Sequence, residues 1–137
     1  MSEFPNPIGS PTTVLICGGR DYLNYPRFEA VLNAMFEKWN FLVLIHGGAR
    51  GADVMTDTWI SRTCYDMPFA LQVFPADWRT HGRRAGYLRN LQMAEEGRPD
   101  VVVAFPGGVG TEMMIEIARD KNIPAIRVSD NTMSRCH

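Results

Sequence analysis

The sequence predicts a single α/β domain: a Rossmann-like, three-layer fold with about five mainly parallel strands and helices on both faces. Its length of 137 residues suits one ordinary domain. Short apolar runs alternate with segments of helical periodicity, and strands separated by helices require right-handed crossovers and therefore a parallel sheet. Glycine-rich turns follow three of the predicted strands, as is typical at the carboxyl edge of such a sheet.

In the first half of the chain, two strand–helix pairs are predicted. The β-branched run Thr13–Cys17 predicts a strand that ends at two glycines. Pro26 suits a first helical turn, and apolar residues then recur at helical spacing as far as Trp39. The continuously apolar run Phe41–Ile45 predicts a strand covered on both faces, and the segment from Ala52 to about Tyr65 predicts the second helix.

The second half continues the alternation. Phe69–Phe74 predicts the third strand, and Arg83–Glu96 predicts a helix that ends at a glycine. Asp100–Ala104 predicts the fourth strand. Thr111–Lys121 predicts the last helix, with Thr111 as its N-cap, and Ala125–Val128 predicts the fifth strand. In the third helix, the residues expected to face the core are Tyr87, Leu88, Leu91, Met93 and Ala94.

These elements divide the chain into one domain and two end segments. We expect the domain over residues 12–129, a flexible N-terminal segment over residues 1–11 and a flexible C-terminal tail over residues 130–137. No second domain, internal repeat or low-complexity stretch is predicted.

The composition excludes several classes of protein. Hydrophobic residues make up 45% of the chain and charged residues 21%, which excludes a disordered tail protein, a collagen-like fibre and a disulfide-rich miniprotein. The formal net charge of -1 provides no global basic field, so neither nucleic acid nor an anionic membrane is favoured as a partner.

The chain is expected to be cytoplasmic and to have no membrane partner. Its apolar runs are far shorter than the roughly 20 residues that span a bilayer, and no signal-peptide pattern precedes them. The cysteines lack CxxC spacing and predict free thiols in a reducing compartment; they are Cys17, Cys64 and Cys136.

Four segments should meet where the predicted strands end. Ligands of open parallel sheets bind beyond the carboxyl ends of the strands, at the point where the strand order reverses. Glycine lets a backbone approach a ligand closely, and amides at a helix N-terminus can bind an anion. We therefore predict a phosphate-bearing ligand at this edge; the alternative is that the glycines only permit the turns. The segments are Gly18–Tyr22, His46–Asp53, Pro75–Trp78 and Phe105–Thr111.

The candidate ligand-binding residues come from these segments and from the helix after the third strand. They are Gly18, Gly19, Arg20, Asp21, Gly47, Gly48, Arg50, Gly51, Asp53, Asp77, Trp78, Arg89, Asn90, Pro106, Gly107, Gly108, Gly110 and Thr111.

Individual roles can be assigned to some of these candidates. The amides of residues 107–111 and the Thr111 hydroxyl would hold phosphate, while the arginines supply charge. Trp78 either stacks on a base or anchors its loop. Asp53 either supports the N-terminus of the second helix or contacts a ribose hydroxyl, and His46 is expected to be a hydrogen-bonded residue at a strand end.

Other cofactor signatures are absent from the sequence. No segment fits the Walker A pattern, and the nearest approach to GxGxxG has Met113 where a small residue should pack. Neither an ATPase nor an ordinary NAD dehydrogenase is predicted. Histidine and cysteine are scattered without metal-binding spacing, so we expect no metal and no cofactor.

The glycine segments also resemble a known family. Pro106–Thr111 reads PGGVGT and resembles the PGGxGT signature of the SLOG superfamily, which includes the Lonely Guy phosphoribohydrolases. GGRDY at 18–22, HGGARGAD at 46–53 and PADWRTHGRRAGYLRNLQM at 75–93 resemble the YspA/YpsA-related branch. The resemblance spans about residues 13–128 and implies a Rossmann-like fold with a site for a nucleotide or nucleotide derivative.

The same resemblance suggests catalytic candidates. Lonely Guy enzymes use an arginine and a glutamate to cleave an N-glycosidic bond. Arg89 matches the arginine, with Asn90 in place of the family's lysine, but the glutamate position is Met114, whose thioether cannot transfer a proton. Glu112 and Asp77 are the candidate replacements, so whether the protein is an enzyme stays open at this point.

Three functions therefore remain. The leading one is binding of a nucleotide or nucleotide-derived ligand by a sensor, sequestering or carrier protein. The first alternative is hydrolysis of a nucleotide N-glycosidic bond, and the second is a DNA-processing accessory role, suggested by SLOG relatives that bind single strands and by the basic residues between Arg79 and Arg89. The resemblance also implies a homo-oligomer, dimer or higher, for which the methionines of the last helix would suit the interface.

Overall fold

The computed structural model describes residues 12–39, 42–63, 69–129 and 133–135. Helices and strands alternate along them, as the sequence predicts. In chain order they are β1 (Thr12–Cys17), α1 (Tyr25–Trp39), β2 (Leu42–His46), α2 (Ala52–Thr63), β3 (Phe69–Val73), α3 (Trp78–His81), a 3-10 turn (Gly82–Arg84), α4 (Ala85–Glu96), β4 (Val101–Ala104), α5 (Val109–Asp120), β5 (Ala125–Val128) and β6 (Met133–Arg135).

The strands form one sheet in the order β3-β2-β1-β4-β5-β6. The first five strands are parallel, and β6 pairs antiparallel with β5. At the centre, Val14 of β1 lies opposite Leu44 on one side and Val101 on the other. The chain leaves β1 toward β2 and β3 and later returns to the other side of β1 as β4. The predicted Rossmann-like fold is therefore confirmed, and its strand order reverses between β1 and β4.

Two hydrophobic layers cover the sheet. On one face, Val14 and Ile16 pack with the apolar side of α1 and with the fully buried Trp59 of α2. On the other face, Leu15 packs with residues of α4 and α5, including Met93 and Met114. This alternation along β1 follows from the two-residue repeat of a strand. Burial of each large apolar side chain stabilises the folded protein by about 1.5–3 kcal/mol. Packing on both faces of the sheet therefore holds the strand ends in place.

The region before α4 differs from the prediction of one helix over Arg83–Glu96. A short helix, α3, begins earlier because the Asp77 carboxylate accepts a hydrogen bond from the backbone N–H of Thr80 at 3.1 Å. Gly82, with a φ of 56°, ends α3, and a 3-10 turn leads into α4 at Ala85. The bend brings α3 against α4, where Trp78 approaches Gly86.

Helix α5 starts two residues earlier than predicted. Gly108 is its N-cap and accepts the first backbone hydrogen bond from Glu112 at 3.1 Å. Thr111 is therefore not the N-cap but lies within the first turn, where its side chain is buried.

The C-terminal segment contains a strand that was not predicted. Within the expected flexible tail 130–137, residues Met133–Arg135 pair with β5. The predicted flexible segment 1–11 lies outside the described residues, as do Cys64 and Cys136; Cys17 is a free thiol. In the described part of the chain, no helix combines the length and apolar character needed to cross a membrane.

Candidate functional site

A cavity opens at the point where the strand order reverses. Its volume is about 460 Å³, and it lies where β1 ends, between the first turns of α2 and α5 and one side of α4. The side chains and backbone that line it come from five segments. They are Ile16, Cys17, Gly18, Arg20, Asp21, Asp53, Trp78, Arg83, Gly86, Tyr87, Arg89, Asn90, Met93, Gly108, Val109, Gly110, Thr111 and Met113.

Close glycine contacts bring the loops together beneath this cavity. The backbone N–H of Gly19 donates to the carbonyl oxygen of Pro106 at 2.9 Å, which joins the loops after β1 and β4. Gly51 has a φ of 80°, and a Cβ added to it would overlap the carbonyl oxygen of Gly19. A Cβ on Gly18 would lie 2.8 Å from the Cβ of Ala52. The backbone approaches at these positions therefore require glycine for packing of protein against protein.

His46 is a structural residue of the loop after β2. Its ring is buried, and Nδ1 accepts a hydrogen bond from the backbone N–H of Gly48 at 2.9 Å. Because Nδ1 is an acceptor, the proton of the neutral ring lies on Nε2, which donates to Asp57 at 2.9 Å. Both ring nitrogens are engaged within the protein, as expected for a hydrogen-bonded residue at a strand end.

Asp53 organises the same loop from the first turn of α2. Its Oδ2 accepts hydrogen bonds from the backbone N–H groups of Gly47 at 3.2 Å and Ala49 at 3.0 Å. Burial raises the pKa of this carboxyl group, while the two loop amides and the nearby His46 and Arg89 act in the opposite direction. The carboxyl group also lines the cavity, so it supports the helix terminus and the loop at the same time as it faces the ligand space.

Arg89 reaches the cavity from α4. Its Nη1 donates to the carbonyl oxygen of Gly47 at 2.7 Å, and its Nε donates to Asn90 Oδ1 at 2.9 Å. A Cβ on Gly47 would overlap this guanidinium group. Asn90 is 6% exposed, and its Nδ2 donates to the carbonyl oxygen of Gly110 at 3.3 Å. Burial lowers the pKa of Arg89 although the charge of Asp53 opposes this effect, and Arg89 remains a cation.

The N-terminus of α5 forms another side of the cavity. The first amides of a helix have no carbonyl partner within the helix and carry the positive end of its dipole. Among the described residues, the Thr111 hydroxyl has no hydrogen-bond partner, although only 5% of the residue is exposed. A Cβ on Gly108 or Gly110 would meet no described atom within 4 Å. Here the backbone is open to an anion.

Two aromatic side chains lie at the mouth. Trp78 is 49% exposed, and the guanidinium carbon of Arg20 lies 5.9 Å from the centroid of its ring. Tyr87 is 41% exposed and lines the cavity, so the prediction that it faces the core is wrong. Helical spacing from Asn90 could have identified Tyr87 and the other missed residues of α4, because positions three and four residues apart share a face. These are Gly86 and Met93, and Arg83 lies one further turn back, in the 3-10 turn before α4.

The sequence and the fold can be compared with those of known proteins. The sequence model of the YspA, cpYpsA-related SLOG family matches residues 12–81. The Gene 61 protein of Mycobacterium phage D29 is 36% identical over 121 residues, which cover 85% of this chain and 96% of that protein. The chain belongs to the YspA, cpYpsA-related SLOG family. This confirms the resemblance found in the sequence.

A solved structure with a similar outline is the C-terminal domain of a hydrogenase from Pyrococcus furiosus. It is 14% identical, the match covers 90% of this chain and 100% of that domain, and the TM-score is 0.49.

In this SLOG chain, about half of the predicted ligand-binding residues line the cavity. Those that do are Gly18, Arg20, Asp21, Asp53, Trp78, Arg89, Asn90, Gly108, Gly110 and Thr111. The others support the loops from outside or lie on the surface. Those outside the lining are Gly19, Gly47, Gly48, Arg50, Gly51, Asp77, Pro106 and Gly107.

The two carboxylates considered as catalytic replacements lie elsewhere. Glu112 faces a second cleft of about 340 Å³ and accepts two hydrogen bonds from the Arg127 guanidinium, at 2.5 and 2.7 Å. The hydrogen bond with Arg127 lowers the pKa of Glu112. Asp77 is exposed and caps α3. The described carboxylates that line the cavity are instead Asp21 and Asp53.

The methionines of α5 are used inside the protomer. Met114, at the glutamate position of the Lonely Guy signature, is fully buried between α4 and α5. Met113 lines the cavity, with its sulfur 3.9 Å from Asn90 Nδ2. Met114 is therefore not available to an oligomer interface, and the homo-oligomer stays a prediction.

No group of metal-ligating side chains occurs within the described ranges.

Proposed function

We propose that this SLOG protein binds a nucleotide or a nucleotide-derived small molecule in the cavity between β1 and β4, as a sensor, sequestering or carrier protein. The observation that carries the proposal is the nearly buried Thr111 in the first turn of α5, which lines a cavity that three arginines also line and whose hydroxyl has no hydrogen-bond partner among the described residues. Membership of the family supports a nucleotide-related ligand.

The phosphate would lie at the N-terminus of α5. Exposed helix amides and the Thr111 hydroxyl donate hydrogen bonds there, and the helix dipole favours negative charge. Arg20, Arg83 and Arg89 line the same cavity and supply charge-assisted hydrogen bonds. Gly108 and Gly110 leave space for close approach of the ligand to the backbone.

The base would lie at the mouth. Trp78 and Tyr87 are about half exposed and line the cavity, so each offers an aromatic face to a planar ligand. The contact between Arg20 and Trp78 holds the positive charge beside this stacking surface.

The hydrolase alternative needs a carboxyl group at the glycosidic bond. Glu112 is paired with Arg127 outside the cavity and Asp77 caps α3, so neither named residue supports this alternative. The basic residues between Arg79 and Arg89, on which the DNA-binding alternative depends, are divided between the cavity and the outer surface. Binding of a small molecule is the function that the geometry supports best.

The test is a ligand panel with two threonine variants. Purified protein is titrated by calorimetry with nucleoside monophosphates, cyclic nucleotides and ADP-ribose, and the mixtures are analysed by mass spectrometry. We expect an intact ligand to be retained, and we expect Thr111→Val to weaken its binding by about tenfold because one hydrogen bond is lost. Thr58→Val is the matched control, because the Thr58 hydroxyl is exposed and bonds within α2.

Each outcome has a defined meaning. Retention of an intact ligand that depends on Thr111 supports the proposal. Release of a free base and ribose phosphate would instead establish the hydrolase alternative. If wild-type protein binds and cleaves nothing in the panel, the proposed function is wrong.

A further inference from the structure

One oxygen of a carboxylate that lines the cavity has no hydrogen-bond partner among the described residues. Asp53 uses Oδ2 for both of its hydrogen bonds to the loop after β2. Among the described residues, Tyr25 Oη is the side-chain polar atom that is fully buried and has no hydrogen-bond partner. Asp53 Oδ1 also has no partner there, so it must be accessible to solvent. Only 6% of Asp53 is exposed, and the residue lines the cavity. Its free oxygen is therefore an acceptor for a ligand inside the cavity.

The chemistry of this oxygen selects the ligand group that it can meet. An ionised carboxylate accepts hydrogen bonds and donates none. A nucleotide phosphate carries a charge of about −1.5 to −2 near neutral pH and would be repelled by the like charge. The anionic end of a nucleotide must therefore lie away from Asp53, at α5 with Arg20 and Arg83, and a neutral donor must lie at Asp53.

Arg89 provides a donor beside this acceptor. Both side chains bond to the backbone of the same residue, since Asp53 accepts from the N–H of Gly47 and Arg89 donates to its carbonyl oxygen. Arg89 uses Nη1 and Nε within the protein, which leaves Nη2 for a ligand. In the described part of the chain the two side chains form no ion pair with each other. An acceptor and a donor are thus held at the same residue, Gly47, without satisfying one another.

A vicinal diol matches such a pair. One hydroxyl group can donate to Asp53 Oδ1, while the oxygen of its neighbour accepts from Arg89 Nη2. We propose, as an inference that rests on the proposed nucleotide binding, that Asp53 and Arg89 bind the two ribose hydroxyls and make the site select ribonucleotides over deoxyribonucleotides.

The position of the pair favours ribose over the base as the group bound there. The exposed aromatic rings of Trp78 and Tyr87 lie at the mouth, whereas Asp53 is nearly buried. The sugar connects the phosphate to the base in every nucleotide. With phosphate at α5 and the base at the mouth, the ribose is the part that can reach Asp53.

The wild-type experiment compares matched ligands. Affinities are measured by calorimetry for AMP and GMP and for their 2′-deoxy and 3′-deoxy counterparts. Because a hydrogen bond to a charged group is lost with either hydroxyl, we expect each deoxy ligand to bind about tenfold to a hundredfold more weakly. Equal affinities would overturn the inference.

The Asp53→Asn variant tests the role of Asp53 Oδ1. The amide oxygen of the variant can still accept from Gly47 and Ala49, so the loop is retained, but an NH₂ donor replaces the acceptor in the cavity. The readout is the ratio of ribose to deoxyribose affinities, because loss of a negative charge favours both anions alike. We expect this ratio to fall to within about threefold of unity.

Asp57→Asn is the charge-matched control. Asp57 lies one turn further along α2, pairs with His46 and does not line the cavity. This variant should retain the wild-type ratio. If Asp53→Asn also retains it, or changes only the preference between AMP and GMP, the inference is wrong.

Two failures can be distinguished. If no ribonucleotide or deoxyribonucleotide binds the wild-type protein, the proposed function fails and this inference fails with it. If both bind equally well, only the ribose assignment fails. Should Asp53→Asn not fold, as judged by circular dichroism and its unfolding midpoint, the 2′-deoxy and 3′-deoxy ligands with wild-type protein decide the matter.

Discussion

The glycines after β1 and β2 differ from those at the start of α5. A Cβ on Gly18 or Gly51 would collide with the protein, whereas a Cβ on Gly108 or Gly110 would meet no described atom within 4 Å. All four follow a strand or begin a helix at the same edge of the sheet, and the sequence assigned all of them to ligand binding. The first group packs loop against loop, although Gly18 also lines the cavity, and the second borders open space.

This difference shows that one sequence signal has two physical causes. A glycine is needed where another part of the backbone comes too close for a Cβ, and it is also useful where a ligand must approach. Stability should therefore depend on the first group and binding on the second. Four variants test this separation, in order of decreasing expected effect.

The largest effect is expected for Gly51→Ala. The residue has a φ of 80°, and the added Cβ would overlap the carbonyl oxygen of Gly19. Backbone strain together with this overlap should lower the free energy of unfolding by about 3–5 kcal/mol. Urea denaturation measures the change. Gly110→Ala is the matched control and should shift stability by less than about 1 kcal/mol, in the stabilising direction, because it lies in a helix. Equal costs in the two variants would remove the distinction between the groups.

Gly108→Val should weaken ligand binding and leave stability nearly unchanged, which is the reverse of Gly51→Ala. The side chain has room in the unliganded protein, so stability should change by no more than about 1 kcal/mol, the cost of a poor N-cap. Binding of the tightest nucleotide in the panel should weaken by about a hundredfold, because the side chain occupies the ligand's place beside the backbone. Calorimetry of the variant checks this expectation, and retained affinity would contradict the assignment of phosphate to this loop.

An intermediate effect is expected for Gly47→Ala. The new Cβ would displace the Arg89 guanidinium from the carbonyl oxygen of Gly47, at a cost of about 1–2 kcal/mol in unfolding free energy. The side chain of Arg89 can move, so the cost is smaller than for a clash between backbones. In an Arg89→Ala background the same substitution should cost little. A double-mutant cycle without coupling between the two positions would show that Gly47 is needed for another reason.

The smallest effect is expected for the ion pair between Glu112 and Arg127 on the outer side of α5. Arg127 lowers the pKa of Glu112, so the pair stabilises the fold above the usual pKa of a glutamate and loses this effect as pH falls through the lowered value. Both side chains are about half exposed, and solvent screening limits the contribution to about 0.2–1 kcal/mol. Urea denaturation of wild type and Glu112→Gln should show this gap at neutral pH, and the gap should close as the pH falls through the lowered pKa of Glu112. A gap that persists in acid would contradict the ion-pair explanation.

Much of the fold was predictable because its signals are local. Buried parallel strands are short apolar runs, and helices show their own repeat, so five strands and the main helices follow from the sequence. β6 did not, since Met133–Arg135 is a strand only because β5 offers an edge for pairing. Helix α5 begins earlier than the sequence predicts because its N-cap is Gly108, which has no capping side chain to mark the position.

The candidate site was predictable to a lesser extent. The carboxyl edge and several of its residues followed from topology, but the direction of each side chain did not. Glu112 turns to Arg127, which cannot be read from spacing along one helix, whereas Tyr87 shares the face of Asn90 and could have been found from that spacing.

The sequence by itself determined the family, the order of strands and helices and the edge at which they place a site. Their signals reside in composition, periodicity and short motifs, which are properties of neighbouring residues. Only the tertiary structure decided which glycines pack against protein, which carboxylates reach the cavity and which oxygen of Asp53 is left without a partner. Those outcomes depend on contacts between loops that are distant in the chain, and such contacts exist only once the sheet has brought the strand ends together.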